Sequence, residues 1–343
     1  MTSETFVQAL KSPAALLSNL GHRTHYVYLL AALVLAVWVY WRARPAGAGG
    51  VRGLLSYLFP ARILTHSSTW FDARLAFVNT VLRTAVVGPL IVSAITVALA
   101  VLSALTDLFG APGPTQTPSW LVIVSFALVL FVIDDLTRYL VHRAEHRIPW
   151  LWEFHKVHHS AEVLTPLTVH RFHPVETLLL GIRGGAVSGA VTGVFFYAFP
   201  GTITPWAWFG VNAFNFAYTI FGSNLRHSHI WLSFGPRLEH VFSSPAQHQI
   251  HHSCDPAHHD RNFATALSLW DWLGGSLIVT EKARPGAPPP ALDFGVGAGK
   301  NHRDTIVSAY FDPFRAVFGR PRRFPESVVS SEAGSSETSD VGA

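Results

Sequence analysis

Five stretches of this 343-residue chain, at 26–41, 85–105, 120–141, 184–199 and 203–222, are almost continuously apolar, and four of them carry no charged side chain. Runs of this length approach or match the thickness of a hydrocarbon core. Within a bilayer each backbone N–H and C=O must find its partner inside the protein, which a helix achieves within one segment. Composition agrees: 49% of residues are apolar and only 13% charged, with a mean hydropathy of +0.29. The expected fold is therefore all-α, a polytopic membrane protein of about four to five transmembrane helices. Only Pro200, Gly201 and Thr202 separate the last two stretches, so these should form a tight hairpin.

The histidines are concentrated rather than scattered. Three boxes stand out: His142-x-x-x-His146, His155-x-x-His158-His159 and His248-x-x-His251-His252. A helix returns to one face every three to four residues, so each box can aim several imidazoles at one point. Imidazole is a good ligand for iron, zinc, copper and nickel. A lone histidine more often caps a helix or donates a structural hydrogen bond, but two H-x-x-H-H strings behind an i,i+4 pair form a repeat that chance rarely supplies. Eight box histidines exceed what one four-coordinate ion takes; two ions sharing them, completed by one or two further side chains, fit the number. Cys254 is the single cysteine, so no thiolate site is available.

Outside the boxes, His227 is the favoured extra ligand, because the hairpin returns the chain near the same side. His173, in His170-Arg-Phe-His173-Pro-Val-Glu176, is a further candidate. His170, His229, His240, His258 and His259 are assigned structural or surface roles. Asp135 lies two turns before His142, and an acid at a membrane helix end is costly unless paired or functional. It is expected to accept an N–H from a ligating imidazole, or else Asp134 or Asp135 pairs with Arg138 or Arg143. Pro149 should end the helix carrying the first box, with Trp150 and Trp152 at headgroup level.

Loop charge sets the expected topology. Residues 42–83 contain six arginines and 106–119 contain no lysine or arginine, so the first loop belongs in the cytoplasm and all three boxes follow it there. A bacterial inner membrane is the expected location. The 26–41 stretch begins too late for a signal peptide and lacks a clear cleavage site, so it reads as a retained helix. Net charge is only +4, and the basic residues flank membrane segments instead of forming a stripe interleaved with aromatics, which argues against nucleic-acid binding. The chain divides into an N-terminal helix with a basic segment (1–84), a catalytic membrane domain (85–285) and an extension (286–343) whose tail, from about 320, is too polar to fold.

Taken together, these motifs resemble the fatty acid hydroxylase and sterol desaturase superfamily. The likeness covers about residues 120–280 and includes the three boxes, the intervening hairpin, His173-Pro-Val-Glu176, Asn262-Phe263 and Trp270-Asp271. It departs at Trp272-Leu-Gly-Gly-Ser, where many relatives carry a basic or polar residue followed by Phe-Gly-Thr. The resemblance implies a membrane helical core with a cytosolic dimetal cap, conventionally two irons, that uses dioxygen and two electrons to hydroxylate or desaturate a lipid. On that reading the box histidines are ligands, and Asp135 and Glu176 tune or orient them. The chain has no iron–sulfur cysteine motif, dinucleotide fingerprint or fused cytochrome b5 signature, so a separate ferredoxin or cytochrome b5 type donor is implied. Arg143, Arg147 and Lys156 are candidates to dock it, or simply positive-inside charge. Two rival classes remain. His142-Arg-Ala-Glu145-His146 fits the inverted zinc peptidase string, with Glu145 as general base; and histidine-rich membrane proteins also transport metals, although transporter ligands belong near the midplane.

Overall fold

The structure, a computed structural model, describes residues 11–19, 22–43, 50–202, 214, 216–280, 291–296 and 305–319. Among the described residues it is helical without strands, apart from an isolated antiparallel bridge between Ser253 and Phe294. The longer helices are α1 (Tyr26–Ala43), α2 (Gly50–Leu58), α3 (Ser67–Leu82), α4 (Ala94–Phe109), α5 (Ser119–Arg147), α6 (Pro149–His159), α7 (Pro174–Ala198), α8 (Pro245–His251) and α9 (Ile306–Phe318).

Among the described residues, three helical runs are long and apolar enough to cross a membrane: Ser67–Phe109, α5 and α7. The first is not uniform. It continues from α3 through a π-helical turn, Arg83–Val87, passes Pro89, and becomes extended at Ile91. The Ser93 side chain then caps α4 by accepting the Thr96 N–H. The apolar stretch expected at 85–105 is thus broken by its own proline and cap, and its regular helix begins at Ala94.

A glycine seam holds α4 against α7. Gly181, Gly185, Gly189 and Gly193 recur every fourth residue and line one face of α7. A Cβ at Gly185 would lie 2.5 Å from the Val92 carbonyl oxygen, and at Gly189 and Gly193 it would lie 2.6 Å from those of Ala94 and Ala98. Without Cβ atoms the two backbones approach closely, the geometry that drives association in lipid, where apolar burial supplies little. Val122, Phe126 and Leu130 of α5 pack on Val191 and Phe195 of α7. Nearer the histidines, Arg183 of α7 donates to Asp134 at 2.8 Å, as does Arg138, so Asp134 carries the ion pair foreseen for this pair of acids.

The helix expected to cross at 26–41 forms as α1 and is apolar along its length. α1 is shorter than the other candidates, and both of its ends are tied to segments around the histidine cap. Arg23 and Thr24, just before it, reach Ser223 and His170; Tyr40, near its end, packs on Tyr57, whose carbonyl accepts from His229. Its Ala32, Ala36 and Val39 face rests on Leu225, Ile230 and Leu232. The arm expected at 203–222 lies mostly outside the described residues, as does the tail from 320.

Pro149 does end the α5 helix: Ile148 is extended and Pro149 opens α6. α3 lies across this cap. Arg171, fully buried over the Phe71 ring, donates to Asp72 and Ser68 of α3 at 2.9 Å and to Ser160 and the Val157 carbonyl. That ion pair ties α3 to the end of α6, where the second box sits. α9 closes the other side, with Phe314 against Phe154 and Ala309 in a cluster with Phe71, Leu75 and Val157. The helical run that begins with α3 continues past residue 84 without a break in the chain's helix until Leu90, and α9 docks on α6.

Candidate metal centre

Each box is delivered by a separate local structure. His142 and His146 occupy the last two turns of α5, and His155, His158 and His159 line the buried face of α6. His248 and His251 lie on α8, with His252 as its C-cap. α8 is started by a capping box in which Ser244 and Gln247 satisfy each other's backbone N–H groups. His227 follows the 3-10 turn Ser223–Arg226. Gln249 of α8 donates to the Leu225 and Ile230 carbonyls, fixing that segment beside α8.

The nine histidines separate into two groups whose available ligand atoms lie within 4.8 Å of one another: His142, His146, His155, His159 and His251 in one, His158, His227, His248 and His252 in the other. In the second group the Nε2 atoms of His227, His248 and His252 stand 3.0 to 3.2 Å apart. Three neutral imidazoles cannot all be satisfied by such a triangle, since each Nε2 either donates or accepts. Nitrogens sharing one ion at about 2.1 Å stand roughly 3 Å apart, so a cation resolves the conflict.

In the first group the opposite ring edges reveal the arrangement. His142 Nδ1–H donates to the Phe263 carbonyl at 2.6 Å, His251 Nδ1–H to that of Arg261 at 2.7 Å, and His155 Nδ1–H to Glu176 Oε1 at 2.8 Å. These bonds fix the tautomer that leaves each Nε2 lone pair free. The Nε2 atoms of His146, His155, His159 and His251 are buried without any hydrogen-bond partner. Orphaned acceptors in a dry site are costly unless something binds them. The residues present therefore fit two metal ions, one per group.

Burial is also the main reason these imidazoles stay neutral, the form that ligates. It pushes His155, His159, His227, His248, His251 and His252 well below the ordinary imidazole value, with neighbouring histidine and arginine charges adding to the effect, and it pulls His158 down to about 3.

The outer residues sort differently from the sequence expectation. Asp135 meets no imidazole: Oδ1 accepts the Ala266 N–H, and Oδ2 accepts those of Leu267 and the Trp270 indole. It clamps the 263–270 loop, because α5 turns this side chain toward that loop and not toward His142. His173 stands outside both groups. It is the N-cap of α7, its Nδ1 accepting from Val175 and its Nε2 donating to the Tyr310 carbonyl, so both ring nitrogens are taken. Glu145 faces Glu176 across His155, 3.6 Å from His155 Nδ1, rather than joining the five-histidine group. Arg143, Arg147 and Lys156 each have an internal partner, respectively Tyr139, Asp260 and Glu153.

Sequence reasoning quoted Asn262 and Trp270-Asp271 without a task for them, and the structure supplies one. Asp271 accepts the Phe263 and Ala264 N–H groups at 2.9 and 2.7 Å, while Asn262, at a left-handed φ of 54°, bonds the Gln247 carbonyl and the Ile278 N–H. Together they hold the carbonyls that receive His142 and His251. Glu239, fully buried, was missed altogether; it gathers the hydroxyls of Ser233, Ser244 and Thr280 and so anchors the start of α8.

A helical membrane protein whose cap gathers nine histidines into two metal-sized groups defines a narrow class. Residues 127–276 match the model of the fatty acid hydroxylase family, and over that stretch the chain is similar to it. It is 29% identical to an ornithine lipid hydroxylase of Rhizobium tropici over 53% of this chain and 48% of that protein. It is also 29% identical to an alkylglycerol monooxygenase of Danio rerio over 43% of this chain and 29% of that one. A very-long-chain aldehyde decarbonylase of Oryza sativa is 30% identical over 46% of this chain and 54% of the plant protein. The chain thus spans about half, or less, of the length of these relatives. No solved structure matches it.

Proposed function

We propose that this protein is a membrane-bound, dioxygen-dependent oxidoreductase that hydroxylates or desaturates a lipid hydrocarbon, with two irons held by the histidine groups. The observation that carries the reading is the division of nine buried histidines into a group of five and a group of four. An unactivated C–H bond yields to no amino-acid side chain, and a redox metal pair is what supplies the oxidising power. The balance for hydroxylation is lipid C–H plus dioxygen, two protons and two electrons giving lipid C–OH and water. The chain carries no electron-carrier motif of its own, so a ferredoxin or cytochrome b5 type donor supplies the electrons.

The protein's residues perform the supporting work. His142, His251 and His155 present Nε2 because the Phe263 and Arg261 carbonyls and Glu176 hold the far edge of each ring. Asp135, Asn262 and Asp271 keep that carbonyl loop in place and act as positioning residues. Trp152, packed 5.0 Å from His146 and 5.5 Å from His159, borders a cavity of about 830 Å³ that opens beside the five-histidine group. The groups face the cytoplasm of a bacterial inner membrane, on the arginine asymmetry of the loops.

Elemental analysis with Mössbauer spectroscopy of iron-57-enriched, detergent-purified protein tests the reading. Two irons per chain, together with oxidised lipid in expressing cells, are expected. A single zinc and no iron after anaerobic iron loading would sink it.

A further inference from the structure

Four guanidiniums gather where α1 begins, α5 ends its apolar part and the chain returns before the third box: Arg23, Arg138, Arg183 and Arg226. Two carboxylates, Asp134 and Asp135, stand among them. Asp134 takes both Arg138 and Arg183 at 2.8 Å. Asp135 spends its oxygens on three N–H groups and makes no ion pair. Arg23 and Arg226 are therefore left without a carboxylate in ion-pair reach among the described residues.

Neither guanidinium is a solvated surface charge. Arg226 is 97% buried. It donates through Nη2 to the Tyr218 hydroxyl and the Thr265 carbonyl, while its Nε is buried without a partner. Arg23 donates to Ser223 Oγ at 3.1 Å, its one hydrogen bond to a side chain. Burial, and next the like charge of Arg226, pull Arg23 down to about 10. Tyr218 and Ser223 fill the space around the two cations with hydroxyls, which neutralise nothing. A fully buried charge beside a second, partly buried one of the same sign is expensive in a low-dielectric setting unless an anion joins them.

Position tells which anion. Arg226 immediately precedes His227 of the four-histidine group, and Arg23 precedes α1, whose outward side chains Leu30, Val34, Trp38 and Trp41 are apolar and exposed. An anion held here has an apolar surface on one side and the metal centre on the other, as the headgroup of a membrane lipid would.

We infer that Arg23 and Arg226 form an anion site that holds the carboxylate or phosphate headgroup of an acidic lipid beside the histidine groups. This deepens the lipid oxidoreductase reading and rests on it for the identity of the chain being oxidised: the substrate class is acidic lipids, not neutral ones. Each guanidinium offers planar N–H donors suited to an oxyanion, and Arg226 Nε is one such donor already desolvated.

The test uses full-length protein in a neutral detergent at pH 8, with spin-labelled stearate as the probe and its immobilisation followed by EPR. Stearate should bind at least about tenfold more tightly than its methyl ester, and Arg23→Gln and Arg226→Gln should each weaken it about tenfold, the scale of one charge-assisted hydrogen bond. Arg226→Lys should retain part of the binding. Millimolar inorganic phosphate should not displace the probe. Equal binding of acid and ester, unchanged binding in both glutamine variants, or displacement by phosphate alone would each overturn the inference. Should Arg226→Gln fail to fold, the partly exposed Arg23→Gln decides. Iron content is read on the same samples, so loss of the oxidoreductase reading with arginine-dependent stearate binding intact is distinguishable from loss of the anion site.

Discussion

Glu176 accepts the His155 N–H from the side of the ring that faces away from the other histidines. In the proposed centre it would set the lone pair on Nε2 from outside the five-histidine group. Replacing such an outer partner lowers metal affinity about 10- to 100-fold in comparable sites. Glu176→Gln, which keeps an acceptor, should fall near the lower figure and Glu176→Ala near the upper, as read by chelator competition. The proposed ligands should behave otherwise. His248→Ala removes one of only four nitrogens in its group, and the purified variant should hold about one metal per chain instead of two by elemental analysis. At this scale the boxes and His227 were legible because metal geometry restricts spacing. Asp135, His173 and Glu145 were not: Asp135 and Glu145 share a helix with the first box and His173 follows the second by 14 residues, and only the direction of each side chain, invisible in a string, decides what it meets. Glu239 gave no signal, being an ordinary acid in a loop until the fold buries it among hydroxyls.

Helices α4 and α7 meet along glycines, and that seam predicts an asymmetry between neighbouring positions. Gly189→Leu places a side chain where the Ala94 carbonyl already stands, so the helices must separate. Overpacking of this kind costs about 1–3 kcal/mol, visible as a lower Tm and a broadened size-exclusion peak in detergent. Gly184→Leu, on a face with nothing within 4 Å, should leave both unchanged. The tie between α3 and α6 is of another kind. Asp72→Ala removes the carboxylate that faces the fully buried Arg171, and breaking one partner of such a pair costs about 3–5 kcal/mol, again read as Tm. The glycine period was open to reading in the sequence, whereas the Asp72–Arg171 pair spans 99 positions and could be found only after folding. The contact of α1 with Leu225, Ile230 and Leu232 was equally hidden, because apolar content alone does not say what a helix rests on.

For the molecule as a whole, the fold puts all three boxes into one cap, and hence on one side of whatever membrane α5 and α7 cross. The arginine count of the loops is a separate argument, and it supports our proposal that this side is the cytoplasm. It does not depend on α1, because it compares the six arginines of 42–83 with their absence from 106–119. The single cysteine makes the assignment testable without engineering. Cys254 follows the third box, is partly exposed, and borders the cavity beside the five-histidine group. A thiol there reacts with maleimide as its thiolate, provided the reagent reaches that side. Expressed in a bacterium, the protein should resist a membrane-impermeant maleimide in intact spheroplasts and react with it in inverted inner-membrane vesicles, with Cys254→Ser unlabelled in both. Labelling confined to spheroplasts would reverse the topology and place the metal centre, with its electron donor, on the outer face.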